Sequence, residues 1–306
     1  MQRLLLADGI PDRFRGSVVA LGNFDGFHLG HQAVVGRAVA RAAHEQRPAV
    51  VATFDPHPVR FFKPDAAPFR LTSLDQREAL FAGAGADAML VFDFGAPLAA
   101  TSADDFVALL AEKVGAAAVV TGEDFTFGAR RGGNATVLRE LGAARGLSAE
   151  AVAPVMLGEE PVSSSRIREA LGMGDCATAT RLLTRPFAIR GTVQHGDKRG
   201  RELGYPTANL TLGSYQRPAY GIYAVRVRLP DGSEVAGVAN VGVRPTFEPP
   251  VELLEAYLFG WSGDLYGQEI EVALHHFLRP ERRFDSMDAL SLQMRSDEAE
   301  ARRLLL

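Results

Sequence analysis

His28 and His31 lie three residues apart in a stretch (22–31, GNFDGFHLGH) that also carries Gly22, Gly26 and Gly30. Two imidazoles at that spacing can face one phosphate cluster as hydrogen-bond donors. The glycines let backbone and phosphate approach closely. Paired histidines also suit zinc, but zinc needs a third and fourth ligand at suitable spacing, and none lies nearby. No Gly-Lys-Ser/Thr follows, so this is not a Walker loop. No GxGxxG is present, so a hydride cofactor is not implied. Without any chemistry, the stretch is a glycine-rich turn with two surface histidines. The density of histidine and glycine at one junction favours phosphate binding.

The elements around the stretch must position it. The apolar run 17–21 (SVVAL) precedes it as a strand. Residues 31–46 follow with Val34, Val35, Ala38, Val39 and Ala42 on one helical face. The motif thus occupies a strand-to-helix turn, where open α/β sheets bind nucleotides against free N–H groups and a partial positive charge. Strand and helix signals go on alternating. The spacing predicts strands at 49–54, 88–92 and 117–121. It predicts helices opening at Ser73 (with Gln76 three residues on) and at Ser102 (with Asp105), the latter stopping near Gly115. Between them, residues 55–71 hold Pro56, Pro58, Pro64 and Pro68, too many for regular structure. A loop this long is usually a lid or substrate wall, and Phe61, Phe62 and Phe69 could meet an aromatic ligand, although core packing is the commoner fate of phenylalanine. A second loop (121–134, TGEDFTFGARRGGN) sets Arg130 and Arg131 beside two glycines: a basic arm over anionic substrate, or a solvated loop. SSSRIR (163–168) starts a short helix whose serines can cap it or bind phosphate, with Arg166 and Arg168 as charge-assisted donors. The pattern argues for a parallel sheet with helices on both faces.

The texture changes near residues 181–187. Beyond Phe187, short alternating strands such as 223–229 and 269–274 predict a small antiparallel barrel, closed by a helical tail over 287–306. Here a second set of candidates appears. Residues 191–210 (GTVQHGDKRGRELGYPTANL) mix glycine and charge, then place Thr207 and Asn209 two apart. Neutral oxygen ligands of that kind suit Mg²⁺ shared with nucleotide phosphates, and the basic loop could cover those phosphates; the alternative is a plain turn after a strand. Glu255, in an apolar stretch, reads as a general base or as a surface-facing strand residue.

Composition sets limits. The 306 residues are enough for two domains, and 47% hydrophobic with 23% charged residues fits a soluble globular chain. Net charge is −4; from Thr184 onward 15 basic residues meet 16 acidic ones, leaving 18 against 21 before it. Neither half has the positive excess of a nucleic-acid binder. No apolar run approaches a membrane span, and residues 4–7 are too short for a signal-peptide core. The one cysteine, Cys176, fits a reducing cytoplasm.

Taken in order, GNFDGFHLGH, TFDPHP (53–58), TGEDFTFG, SSSRIR, GDKRGRELGYPTANL (196–210), PAYGIYA (218–224), GVANVGVRPTF (237–247) and GDLYG (263–267) resemble the prokaryotic bifunctional riboflavin kinase/FMN adenylyltransferase (FAD synthetase) family. The resemblance implies a Rossmann-like nucleotidyltransferase domain with a parallel sheet over residues 1–183. It implies a small antiparallel β-barrel riboflavin kinase domain with a C-terminal helix over 184–306. The implied chemistry is ATP-dependent phosphorylation of riboflavin to FMN, then adenylylation of FMN to FAD with release of pyrophosphate. The alternatives are a chain keeping one activity, or a non-catalytic flavin- or nucleotide-binding regulator. By resemblance, His28 and His31 bind ATP phosphates within a loop that includes Gly22, Phe24, Asp25 and Gly26. Ser164, Ser165 and Arg168 complete that clamp, and Arg168 joins the histidines in catalysis. Pro56, His57, Phe62, Asp124 and Phe127 hold flavin, with Asp297 as a further flavin contact. Gly196, Lys198, Gly200 and Thr207 cover the kinase nucleotide, Thr207 and Asn209 hold Mg²⁺, and Glu255 takes the hydroxyl proton. Four features depart from the family pattern: Ser165 stands for threonine, Glu248-Pro249-Pro250 for a glycine-rich stretch, Tyr257 for histidine, and Gly260-Trp261 for an acidic-aromatic pair.

Overall fold

The structure, a computed structural model, describes residues 1–195, 205–244 and 251–306. Contacts divide the chain into two units: Met1–Ala67 with Leu74–Ser163, and Pro68–Ser73 with Ser164–Leu306.

The first unit is built on six parallel strands: β1 (Gln2–Leu5), β2 (Val18–Leu21), β3 (Ala49–Asp55), β4 (Ala88–Asp93), β5 (Ala118–Gly122) and β6 (Ser148–Val152). Their order across the sheet is β1-β4-β3-β2-β5-β6. The central strands are buried on both sides because both faces are covered, and their sequences are accordingly continuous apolar runs. Alternate residues feed two cores. Val19, Leu21, Val50, Ala52, Leu90 and Val119 pack to one side with Phe106 and Leu110. Val18, Ala20, Val51, Met89 and Val120 pack to the other against Val34, Val35 and Ala38 of helix α1 (Leu29–His44).

The proline-rich stretch is a correction to the sequence reading. It carries a short helix, α2 (Pro58–Phe62), with Pro58 in the first turn. Proline at that position loses no hydrogen bond, since the first N–H groups of a helix have no intrahelical partner. Helix α3 (Leu74–Gly83) follows as expected. A further short helix, α4 (Ala96–Ala100), has no strong sequence signal. In α5 (Ala103–Ala108) the Ser102 hydroxyl caps the Asp105 N–H at 3.0 Å. The turns then widen to π geometry over Leu109–Val114 and stop at Gly115, whose φ of 68° is left-handed. Helix α6 (Ala135–Ala143) is capped by Asn134. The two-residue strands β7 (Met156–Leu157) and β8 (Glu160–Pro161) form a hairpin too short for any periodicity to announce.

The second unit begins with α7 (Ser164–Gly172) and α8 (Cys176–Leu183). The sequence reading gives both helices to the first domain, whereas contacts group them with the strands that follow. Those strands are β9 (Phe187–Thr192), β10 (Ala208–Thr211), β11 (Gly221–Arg228), β12 (Glu234–Arg244), β13 (Val251–Leu258) and β14 (Glu269–Pro280). All pair antiparallel in the order β10-β13-β12-β11-β14-β9. A bridge between Gln194 and Asn209, with the Gln194 N–H donating to the Asn209 carbonyl at 2.9 Å, brings the two ends of the sheet together. The result is the near-closed barrel expected. Helix α9 (Met287–Leu305) packs Ala301 and Leu305 against Ala224, Ala236 and Phe259.

Candidate active sites

In the first unit, chain order runs outward from β2 in both directions, to β3 on one side and β5 on the other. Such a reversal point leaves a crevice beyond the carboxyl ends of the strands. The loops after β2, β3, β4 and β5 all leave from that edge, because the strands are parallel. They carry the GNFDGFHLG motif, Pro56 and His57, Phe94, and Asp124 respectively.

His28 is the N-cap of α1. Its Nδ1 accepts the His31 N–H at 3.3 Å, which fixes the imidazole over the start of the helix. The His28 and His31 rings stack with centroids 3.6 Å apart, and His28 is 5% exposed. A Cβ at Gly30 would lie 3.2 Å from the His28 ring, so a larger residue there would press on the imidazole. The backbone before them is strained: Phe24 and Phe27, neither a glycine, have φ of 49° and 46°. Both rings are buried against Phe81, and that burial holds the unfavourable turn in place. Gly22 and Gly26 belong to the same turn, and Asp25 is buried within it.

Beneath this loop lies a residue that sequence reasoning missed. Arg77 of α3 is 2% exposed. It donates to the Asn23 carbonyl at 3.2 Å and to Thr53 Oγ1 at 2.9 Å, and sits 3.7 Å from the Asp55 carboxylate. Thr53 Oγ1 also donates to the Asn23 carbonyl, at 2.8 Å. An arginine in an amphipathic helix pattern gives no signal; only the end of β3 and the loop after β2, brought side by side, reveal its role.

Among the expected flavin residues, Phe62 is 65% exposed and makes edge contacts with Phe61 and Phe94, an exposed aromatic group. His57 caps α2 by accepting the Val59 N–H. Asp124 is exposed at the end of β5. Phe127 is instead a core residue, 7% exposed between Phe106 and Phe125. Arg130 and Arg131 are exposed or nearly so, both in the left-handed region.

In the second unit, Ser164 and Ser165 open α7. Arg168 lies one turn on, its Nε donating to the Phe69 carbonyl at 2.8 Å and its guanidinium over the Phe69 ring. Thr207 Oγ1 lies 3.4 Å from Asn209 Oδ1. Asn209 stands directly opposite Glu255 in the pairing of β10 with β13, so their side chains share one face. Beside them, a cavity of about 280 Å³ is lined by Val193, Thr207, Trp261 and Tyr266. His195 packs on Tyr266 with centroids 3.8 Å apart. Tyr257, the departure from histidine, joins an aromatic group with Tyr205 and Phe259. Asp297 is engaged elsewhere: its carboxylate takes Arg279 at 2.9 and 2.7 Å and Gln293 at 2.8 Å. Gly196, Lys198, Gly200 and the 248–250 stretch lie outside the described residues.

The FAD synthetase family pattern matches residues 10–166, and the riboflavin kinase pattern matches 183–305. The bifunctional riboflavin kinase/FMN adenylyltransferase of Pseudomonas fluorescens is 42% identical over 95% of this chain and 93% of its own. The chain belongs to the bifunctional riboflavin kinase/FMN adenylyltransferase family. The Escherichia coli K12 member is 38% identical over 94% of this chain and 92% of its own. A solved Streptococcus pneumoniae structure, described as a macrolide-efflux protein, superposes with a TM-score of 0.87 at 32% identity, covering 99% of each chain. That description is of the pneumococcal protein. Among the described residues here, no helix is long and apolar enough to cross a membrane.

Both catalytic halves of the family are present, so the chain phosphorylates riboflavin to FMN and adenylylates FMN to FAD. Riboflavin, FMN, FAD and ATP are its substrates and products. Enzymes of this ATP-using kind typically employ a divalent metal.

Proposed function

We propose that the two reactions use two separate polyphosphate sites, the adenylyl transfer within residues 1–183 and the kinase within 184–306. The observation that carries this reading is the pairing of Asn209 with Glu255. It sets a metal-type oxygen and a carboxylate on one face of the barrel, one strand apart.

In the kinase, Thr207 and Asn209 hold Mg²⁺-ATP. Their two neutral oxygens, 3.4 Å apart with Asn209 95% buried, suit a cation that keeps several waters and its phosphate ligands. A metal held there would supply charge neutralisation to the transferring phosphate. Glu255 takes the proton of the riboflavin 5′-hydroxyl as that oxygen attacks. The cavity beside Thr207, walled by Trp261 and Tyr266, suits the nucleoside.

In the adenylyltransferase, the start of α1 faces the triphosphate with its N–H groups, and His28 and His31 add imidazole donors. Ser164, Ser165 and Arg168 are read as further phosphate ligands. Phe62 and Phe94 offer apolar surface to the isoalloxazine, and Asp124 a polar contact. The chain works in the cytoplasm, where its one thiol stays reduced.

Two substitutions test the separation. His28→Ala is expected to abolish FAD formation from FMN while riboflavin is still phosphorylated. Asn209→Ala is expected to do the reverse. Chromatography of the flavin products, starting from riboflavin or from FMN, reads both. One substitution stopping both reactions in a folded protein overturns the reading.

A further inference from the structure

The row of side chains that begins with Asn209 and Glu255 does not end there. In the pairing of β12 with β13, Asn240 stands directly opposite Glu255. Three neighbouring strands thus place Asn209, Glu255 and Asn240 side by side on one face. That face is turned away from the barrel interior. The residues flanking Asn240, Ala239 and Val241, are buried, as are Leu254 and Ala256 around Glu255, while Asn240 and Glu255 are only partly covered.

Asn240 is held in an unusual way. Its Nδ2 donates to Glu281 Oε1 at 3.1 Å, just beyond the end of β14. Its Oδ1 is shielded from solvent and has no hydrogen-bond partner among the described residues. Such an oxygen costs free energy unless something arrives to donate to it. Gly242, two residues along the same face, makes room for the anchor: a Cβ there would overlap the Glu281 carboxylate.

The order of the row matters for the reaction. Strands lie about 4.8 Å apart, so Asn240 is about 10 Å from Asn209 with Glu255 between them. In an in-line phosphoryl transfer the acceptor oxygen enters opposite the leaving group. With the phosphates at Asn209 and the attacking hydroxyl at Glu255, the rest of the acceptor extends to the far side, over Asn240. In riboflavin the atoms next to the reacting carbon are those of the polyol chain, and each hydroxyl can donate one hydrogen bond.

We propose that Asn240, oriented by Glu281, is a substrate-positioning residue of the kinase whose Oδ1 accepts a hydrogen bond from the ribityl hydroxyl adjacent to the one phosphorylated. This rests on the reading of Glu255 as the base and Asn209 as the metal-side ligand. It adds a specificity element for a polyol acceptor. Glu281 acts through Asn240.

The test is steady-state kinetics of riboflavin phosphorylation by the full chain, with riboflavin and with its 4′-deoxy analogue. Asn240→Ala is expected to raise KM for riboflavin about tenfold, with kcat and the KM for ATP little changed. The wild-type protein is expected to bind the deoxy analogue about tenfold more weakly than riboflavin, and Asn240→Ala to bind the two alike. Glu281→Ala and Gly242→Ala, which release the carboxamide without deleting it, are expected to give a smaller rise in KM. Glu281→Gln, which keeps an acceptor for Nδ2, is expected to restore most of the affinity. An unchanged KM in Asn240→Ala overturns the proposal. So does a loss confined to kcat, or an undiminished preference for the 4′-hydroxyl. Glu255→Gln separates the two levels: full phosphorylation by that variant refutes Glu255 as base, whatever Asn240 does.

Discussion

Replacing Arg77 by methionine probes how the loop after β2, proposed above to bind phosphate, is held from below. The guanidinium gives charge-assisted hydrogen bonds to the Asn23 carbonyl and to Thr53 Oγ1. Such bonds contribute about 1.5–3 kcal/mol each. The full sum does not apply here. The Asn23 carbonyl keeps the Thr53 hydroxyl as a donor, and Asp55, 27% exposed, can be rehydrated. Methionine also refills part of the volume. The expected loss is about 2–3 kcal/mol, or about 30- to 150-fold in the local opening equilibrium. Hydrogen exchange by mass spectrometry reads this at peptides spanning the Asn23 loop, β3 and α3, without assuming that the two units unfold together. FAD formation from FMN is expected to show a raised KM for ATP, while FMN formation from riboflavin is unaffected. Arg77→Lys, which keeps the charge but not the planar guanidinium, is expected to fall between. Exchange unchanged within twofold, together with unaltered FAD formation, would refute the idea that Arg77 supports the loop.

Two further outcomes concern titratable groups. Burial pushes the Cys176 thiol up to about 11, so the thiolate fraction at about pH 8 is on the order of 10⁻³. Native protein is therefore expected to resist iodoacetamide and to be labelled only in denaturant, as mass spectrometry would show. Burial, then the Arg226 guanidinium and His276, hold His275 below its usual 6.5, partly opposed by Glu234. The unfolded chain then takes up this proton first. The stability linked to His275 is fully present above pH 6.5 and is lost as pH falls through the depressed folded value. His275→Gln is expected to flatten the acid-side fall in the urea midpoint of the barrel unit. An identical slope in both proteins would count against it.

What could be read from the sequence followed from how local the signal was. The buried strands β2, β3, β4 and β5 are continuous apolar runs, and α1 has a clean apolar face, so the parallel sheet was legible. Helix α2 was not, because proline looks like a breaker unless its place in the first turn is known. The division between units was hidden for a similar reason. Helices α7 and α8 look like a continuation of the α/β pattern, and only contacts such as the Ala219 N–H to the Leu171 carbonyl tie them to the barrel. At the candidate sites, His28, His31, Thr207, Asn209 and Glu255 could be nominated from residue type and spacing. Arg77 and Asn240 could not. Their roles depend on long-range neighbours, a loop carbonyl in one case and a cross-strand register in the other. Phe127 illustrates the converse: its type fits a flavin contact, yet packing between Phe106 and Phe125 uses the ring in the core.

On the proposed reading, Asn209 serves two ends through different atoms. Its main-chain oxygen receives the Gln194 amide that joins the first strand of the barrel to β10, while its carboxamide faces Thr207. Mutation reaches only the second of these. Chemistry at this position can therefore be erased while the hoop of strands stays fastened, and a descendant of this enzyme could lose its kinase without losing the shape that once performed it.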